Sequence, residues 1–589
     1  MRALSKRGFV RVLGVLALYA VLVVWLTWPL TAHVDTHLPS PHPENLFDVQ
    51  YMVWVLAYES HALTTAPSRF KDANIFYPAR GTLFYGDTGF GALPYFFPVF
   101  LLTGNPALAL NLTVFGSIVL TAAALHLVVA YWTASELAGV VAATAMLFNR
   151  WVLWDFIPPS PSFAVLQYFP PIILLAAASA SRRRGALGLL PLVVLQSLTD
   201  VVYVATALLA PLAVLALVRL FPRQTRAEGL RLLAVLGIAV LALVPIYAEH
   251  HAVVAANPHL AAQTNYPDIW QPLTRLPCGL LGVCAAMAEP MSVPLAAFVL
   301  IGVGALSLGL GESPAVRPLR QLWAHGALWA GLGIIISLTP TVEWHGRRIA
   351  LPHQVVADWV PMYRYLRVPS RLGIAALFGL ALLSGAAFAE CARRLSSARQ
   401  RPRLARLGPA ALAAVVVSAM YAEYGHGLRA PVARPPLPAA YPLAQATLTD
   451  SPVMAILRRP GGPVLHLPVG PLGGVLPIFH ARAMYRSISH WRPLLNGYSS
   501  YWPPGFAERM ALANALPDPA ALAQLRRETG LTHLLVETAL IHPGRDVWLR
   551  LADAGGREDL ALLARDGDGL LLFEVRAAGL HKGDSQAPN

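Results

Sequence analysis

The sequence predicts a polytopic α-helical membrane protein, with about eleven transmembrane helices and a C-terminal α/β domain outside the cytoplasm. Three observations carry that class. Of the 589 residues, 56% are hydrophobic and 13% charged, where a soluble chain carries about 25% charged residues. The apolar residues gather in runs long enough to cross a bilayer. The strong arginine clusters between those runs fall on one side.

Apolar runs of bilayer length predict spans at 9–30, 107–131, 136–153, 163–180, 186–199, 201–219, 232–248, 291–310, 321–339, 371–389 and 407–423. The first follows a basic start (Arg2, Lys6, Arg7, Arg11) and is longer than a signal-peptide core, so it is expected to be retained. With the N-terminus inside, the cytoplasmic connections hold Arg182–Arg184, then Arg219, Arg223, Arg226 and Arg231, then Arg317 and Arg320, then Arg393 to Arg406. That is the positive-inside pattern. Residues 89–104 are apolar, but counting them as a span would put the triple arginine outside. Their glycines and prolines favour an interfacial or re-entrant piece.

The same reading disposes of the formal charge of +14. The basic residues sit between apolar runs as topology signals, and no nucleic-acid partner is expected. Lysine is nearly absent, as in a GC-rich bacterium, so the expected location is a bacterial inner membrane, with the C-terminal domain periplasmic. Of three cysteines, Cys278 and Cys284 share one external loop, where a disulfide and two free thiols are equally compatible with the sequence; Cys391 reads as an ordinary helix-end residue.

Three external pieces are expected, at 31–106, 249–290 and 340–370. The membrane module is taken as 1–425, followed by a proline-rich linker over 426–445 and an α/β domain over 446–589. In that domain the runs 464–469, 533–537 and 570–575 read as strands, and 518–530 as a helix. No internal repeat is evident.

Chemistry is concentrated in the first loop, which carries Asp35, Glu44, Asp48, Glu59, Asp72 and Asp87, whereas the spans hold almost no acids. Asp48 stands at the start of a helical stretch with Phe47, Tyr51, Trp54 and Tyr58, expected to lie at the membrane surface. An aspartate there is either a helix cap or a carboxylate available for proton transfer. His33, His37 and His42 fit no closed zinc spacing, so no metal centre built by the protein is expected. No P-loop or dinucleotide fingerprint is present, which leaves a soluble nucleotide-sugar donor unsupported.

One N-terminal span, a long acidic external loop and a run of further spans resemble the GT-C superfamily of membrane glycosyltransferases over residues 1–425. Locally, DANIFYPARGTLFYGD (72–87), YLRVPSR (365–371) and HWRPLLNGYSSYWPP (490–504) resemble a group of bacterial membrane proteins placed with those enzymes. The resemblance implies a transferase that moves a sugar from a polyprenyl-phosphate donor to an extracytoplasmic lipid, polysaccharide or protein acceptor. It implies a general base in the first loop. Asp48 fits best, with Glu44 and Asp72 as alternates; the paired Asp-Glu of several members is not present. A phosphate leaving group needs no general acid, so direct displacement with inversion is expected.

Arg364, Arg367 and Arg371 lie outside, against the topology trend, and together with Arg80 are candidates for the donor phosphate. Tyr51, His490, Trp491 and Asn496 are candidates for the acceptor or sugar. A divalent cation (Mg or Mn) between Asp48 and the donor phosphate is the cofactor this reading leaves open. Two other functions share the pattern. A transporter or flippase for a lipid-linked saccharide would need ionisable groups near the midplane, where the sequence offers only Asp200 and His126. A non-catalytic envelope-assembly protein would not depend on Asp48.

Overall fold

The structure is a computed structural model. It describes residues 6–178, 183–257, 291, 293–309, 317–338, 341–344, 347–359, 366, 368–397, 402–426, 436–448, 450–470, 476–567 and 569–576. Cys278, Cys284, Arg364 and Arg367 lie outside the described residues.

The chain divides into two compact units. Unit one comprises 1–43, 89–249 and 258–445; unit two comprises 44–88, 250–257 and 446–589. The sequence reading kept the whole first loop with the membrane module. Its central part, 44–88, clusters with the C-terminal domain instead.

Unit one holds helices α1 (Lys6–Leu26), α3 (Leu93–Thr103), α4 (Pro106–Thr133), α5 (Glu136–Leu147), α6 (Phe169–Ala178), α7 (Arg183–Ser197), α8 (Tyr203–Leu220) and most of α9 (Arg226–Ala256). After these come α10 (Leu295–Gly309), α11 (Arg317–Ser337), the short α12 (Pro352–Trp359), α13 (Ile374–Ser396) and α14 (Pro402–His426). The unit belongs to a polytopic helical membrane protein. Among the described residues, six helices are long and apolar enough to cross a membrane, and four apolar helices are shorter.

Every expected span meets a helix, but two are cut short. The run 136–153 stays α-helical only to Leu147 and ends in a π-helical turn, Trp151–Asp155. The run 163–180 becomes helical only at Phe169. Pro158, Pro159 and Pro161 cannot donate to a helical ladder, which explains the break. Residues 89–104, expected as a non-spanning piece, contain the eleven-residue helix α3.

The core of unit one is α13, buried along most of its length. It approaches α11 closely because glycines face the partner backbone: a Cβ on Gly379 would stand 2.1 Å from the Ala330 nitrogen, and one on Gly333 2.1 Å from the Ala376 nitrogen. Apolar side chains gain little by leaving lipid for one another, so close backbone packing between small residues supplies the attraction. The expected linker is partly ordered: β4 (Leu443–Gln445) pairs antiparallel with β1 (His37–Pro39). A second hairpin joins β2 (Thr341–Trp344) and β3 (Arg347–Ala350).

Unit two is built on a five-stranded sheet of order β5-β6-β9-β8-β7: β5 (Val464–Leu467), β6 (His533–Glu537), β7 (Gly556–Arg557), β8 (Leu560–Arg565) and β9 (Leu570–Val575). Only β5 and β6 are parallel. Its helices are α2 (Leu46–Thr65), α15 (Pro452–Leu457), α16 (Pro477–Ser487), α17 (Phe506–Asn514), α18 (Pro519–Thr529) and α19 (Arg545–Asp553). Asp518 caps α18 by accepting the Ala521 N–H, and Gly530 ends it in the left-handed region, as the run 518–530 predicts.

Behind the sheet, Glu537 is buried and accepts hydrogen bonds from Arg482 (2.9 Å) and Arg486 (3.0 Å), with His466 Nε2 at 3.6 Å. Burial alone would raise its pKa, but the bonds from His466 and Arg482 outweigh that and hold the carboxyl well below its ordinary range.

Helix α2 departs from expectation. Val49 through Ser60 are all buried, so its aromatic residues are core rather than a membrane-surface face. It packs on α16.

The α11–α13 contact generates the first prediction. Gly379→Ala should destabilise the purified protein by about 1–3 kcal/mol through overpacking. Gly331→Ala, where a Cβ would meet nothing within 4 Å, should leave the melting temperature unchanged or slightly higher. Equal melting temperatures for the two variants would refute the close packing.

Candidate active site

In unit two, two of the quoted motif segments lock together. The Leu494 N–H donates to the Asn74 carbonyl (2.7 Å), and the Phe76 and Tyr77 N–H groups donate to the Asn496 and Leu494 carbonyls (3.0 Å each). On its other side the same stretch bonds β5, with Val464 N–H to Pro493 O at 2.8 Å and Leu495 N–H to Val464 O at 2.9 Å. Farther along, the Tyr501 N–H meets the Tyr85 carbonyl at 3.0 Å. The segment 493–496 thus continues the sheet past β5 and holds the 72–87 loop by its main chain.

This frame brings Tyr498 to Asp48. The Tyr498 hydroxyl donates to Asp48 Oδ1 at 2.8 Å. The ring is held edge-on by Phe47 and Tyr51, at 5.4 and 5.5 Å between centroids. Burial, then the negative charge of Asp48, raises the Tyr498 pKa well above its ordinary value, so the phenol stays a donor. Asp48 is not the N-cap of α2. Asn45 stands at that position, and Asp48 lies inside the first turn, half-buried, where the helix dipole favours an anion.

Tyr51 is buried, with its hydroxyl 3.3 Å from the Asp87 carbonyl and 3.3 Å from Ser499 Oγ. Gly86 is required at this approach: a Cβ there would stand 2.2 Å from Ser499 Oγ and 2.4 Å from the Tyr51 hydroxyl. The exposed carboxylate of Asp87 acts electrostatically on both tyrosines.

The other expected residues separate by role. Asp72, an alternate base, accepts the Gly81 N–H (2.8 Å), and its carbonyl accepts the Tyr58 hydroxyl (2.8 Å), so it shapes the loop. Asn496, expected at a sugar, is corrected by its burial: its amide accepts from the His466 N–H (2.7 Å) and donates to the His466 carbonyl (2.8 Å). His490 accepts the Arg492 N–H, and burial, then Arg492, pushes its pKa down to about 3. Trp491 is half-buried and stacks on His61. Glu44 and Arg80 are exposed.

In unit one, Arg371 lies in a box of rings. Its guanidinium carbon is 4.9 Å from the Phe156 centroid, 5.2 Å from Tyr203 and 5.5 Å from Phe163. Its Nε is buried without a hydrogen-bond partner, and no carboxylate pairs with it among the described residues. Three aromatic faces hold the cation in place.

Close by in sequence, the buried Asp155 ends the π-helical turn with His42 Nε2 at 3.4 Å and Arg150 Nε at 3.5 Å. The two ionisable residues relevant to transport have structural contacts. Asp200 accepts the Val202 N–H (2.9 Å) at the start of α8, and His126 bonds Tyr19 and Glu136 at 2.8 Å each.

The sequence reading counted Asp87 among the acids of the first loop but did not foresee the Tyr498–Asp48 bond, and it missed Ser499, His61 and Asp155 as neighbours of the candidate groups. The available signal was the motif 490–504, in which Tyr498 follows Asn496 and Gly497 and was read with them as an acceptor or sugar surface rather than as the partner of Asp48. Among the described residues no group of three or more His, Cys, Asp or Glu is arranged to hold a metal ion.

Losing one hydrogen bond to a charged partner costs about 1.5–3 kcal/mol. If Asp48 reacts, Tyr498→Phe should therefore lower kcat/KM by roughly ten- to a hundredfold. Tyr51→Phe, whose hydroxyl meets a carbonyl and a serine, should cost only a few-fold. Steady-state kinetics on both variants check this, and the reverse order would remove Tyr498 from the site.

No protein-family model and no curated protein matches the chain. Among solved structures it is similar to ArnT from Cupriavidus metallidurans bound to undecaprenyl phosphate, at 14% identity and a TM-score of 0.46, over 97% of this chain and 98% of that one. It is similar to ArnT from the same organism in the apo state, at 12% identity and a TM-score of 0.46, over 95% and 97%. The arabinofuranosyltransferase AftD from Mycobacteria aligns at 15% identity and a TM-score of 0.49, over 90% of this chain and 40% of that one.

Proposed function

We propose that the protein is a membrane glycosyltransferase that moves a sugar from a polyprenyl-phosphate donor to an acceptor hydroxyl outside the cytoplasm. The observation that carries this reading is the half-buried Asp48 carboxylate, held by the Tyr498 hydroxyl at 2.8 Å. Tyr498 belongs to the motif segment 490–504, which the segment 72–87 bonds through its main chain.

In the proposed step, Asp48 takes the proton of the acceptor hydroxyl as its oxygen attacks the anomeric carbon. The bond from that carbon to the phosphate oxygen breaks, and its electron pair leaves with the polyprenyl phosphate. The leaving group is already acidic, so a base and a cation are enough. Tyr498 orients the carboxylate.

Arg371 is assigned to the donor phosphate because its charge is unmatched by a carboxylate among the described residues and three rings hold its plane. The step written at Asp48 does not depend on Arg371, whose part is tested separately. Arg80, Arg364 and Arg367 remain secondary candidates for the same phosphate. A divalent cation at Asp48 would add to the neutralisation of the phosphate, but no step above depends on it.

The transporter reading loses support from Asp200 and His126, whose bonds are helix-end and interhelical contacts.

The test uses full-length protein in lipid nanodiscs, a panel of polyprenyl-phosphate sugars and envelope acceptor, and measures free polyprenyl phosphate. Wild type should release it. Asp48→Asn should release it at least about a hundredfold more slowly, the scale of a lost general base. Arg371→Gln should weaken use of the donor while leaving the melting temperature unchanged. Equal release by wild type and Asp48→Asn would remove Asp48 from the mechanism, and no release from any donor by folded wild type would overturn the reading.

A further inference from the structure

Trp491 is one of three non-glycine residues with positive φ among those described, at +52°. An aromatic side chain in that region carries backbone strain and persists only where its surroundings fix it. Here they do. The Trp491 N–H donates to the Ser487 carbonyl (2.7 Å), the Arg492 N–H to His490 Nδ1 (3.1 Å), and Asn74 Nδ2 to the Arg492 carbonyl (3.1 Å). The Arg492 guanidinium then donates to the Gly462 carbonyl at 2.8 Å.

The strained backbone does not bury the indole. Trp491 stays half-buried and lies flat on His61, with 4.5 Å between centroids and 9° between planes. Tyr58 meets its edge at 6.2 Å. Burial lowers the His61 pKa, so the pair is a neutral aromatic surface at physiological pH. Two residues before Trp491 in sequence, the Ser489 carbonyl accepts from Arg458 (3.3 Å), which also pairs with Asp450.

A flat, neutral aromatic face suits the apolar face of a sugar ring, whose hydroxyls point outward around the edge. An anionic or cationic ligand would find no unmatched opposite charge in the Arg458–Asp450 pair.

Tyr498 contacts Phe47 and Tyr51 near the start of α2, and Trp491 contacts Tyr58 and His61 near its end. From Tyr51 to His61 is ten residues, about 15 Å along the helix axis. That separation exceeds one sugar ring.

We infer that Trp491 and His61 form a carbohydrate-stacking subsite, and that the acceptor is an extended saccharide engaged there as well as at the reacting hydroxyl. The inference rests on the glycosyltransferase reading and names its acceptor class.

The test measures retention of total envelope polysaccharide, from the bacterium that makes the protein, on full-length protein immobilised in nanodiscs. Retention needs no turnover, so it can fail while polyprenyl-phosphate release succeeds, and the reverse. The key variant is Trp491→Gly, because glycine accepts the +52° backbone without strain while removing the ring.

Retention should fall about tenfold or more, the loss of one strong stacking contact. His61→Ala, which leaves the indole in place, should weaken retention several-fold and serves if Trp491→Gly fails to fold. Retention by wild type and both variants alike would overturn the inference, as would no retention by wild type.

Discussion

The candidate site depends on one constraint: the main-chain ladder that ties residues 74–77 to 493–496 and those in turn to β5. An edge strand exposes unpaired donors and acceptors and has to be covered. Here the cover of β5 is itself the carrier of the candidate side chains. Because 493–496 is held on both sides, Tyr498 follows it onto the first turn of α2, while Trp491 precedes it onto the last. The buried amide of Asn496, bonded twice to His466, fixes the register of that segment. A slip of one residue would turn every side chain to the opposite face.

The same economy governs α2. A twenty-residue helix with few charges resembles a membrane-surface element when read alone, yet its burial is within protein. Phe47, Tyr51, Trp54, Tyr58 and His61 follow one another at spacings of three and four, which builds a continuous aromatic stripe. The Trp54 indole donates to Asn74 Oδ1 at 3.1 Å, and Tyr58 to the Asp72 carbonyl at 2.8 Å, so the loop is tied to the helix by the polar ends of aromatic residues. Asp48 flanks the stripe and inherits its rigidity.

Much of the helical architecture was legible because a run of twenty apolar residues has few physical alternatives. The strands β5, β6 and β9 were legible for the same kind of reason: short β-rich runs bounded by turn residues. The division into units was not, since nothing local to 44–88 announces that its partners lie four hundred residues away. The aromatic box of Arg371 was equally hidden. Its outward arginine was conspicuous against the topology trend, but Phe156, Phe163 and Tyr203 come from separate segments. Asn496 was misread because an Asn-Gly pair offers a sugar contact and a turn with equal plausibility, and the burial that decides between them is a tertiary property.

The central claim is a single displacement driven by one carboxylate base. Its most direct test is the anomeric configuration of the product, read by NMR from a transfer reaction with an anomerically pure polyprenyl-phosphate sugar. The account predicts inversion, because the acceptor oxygen attacks opposite the departing phosphate. Retention would contradict it, since that outcome requires a second displacement through a covalent glycosyl intermediate.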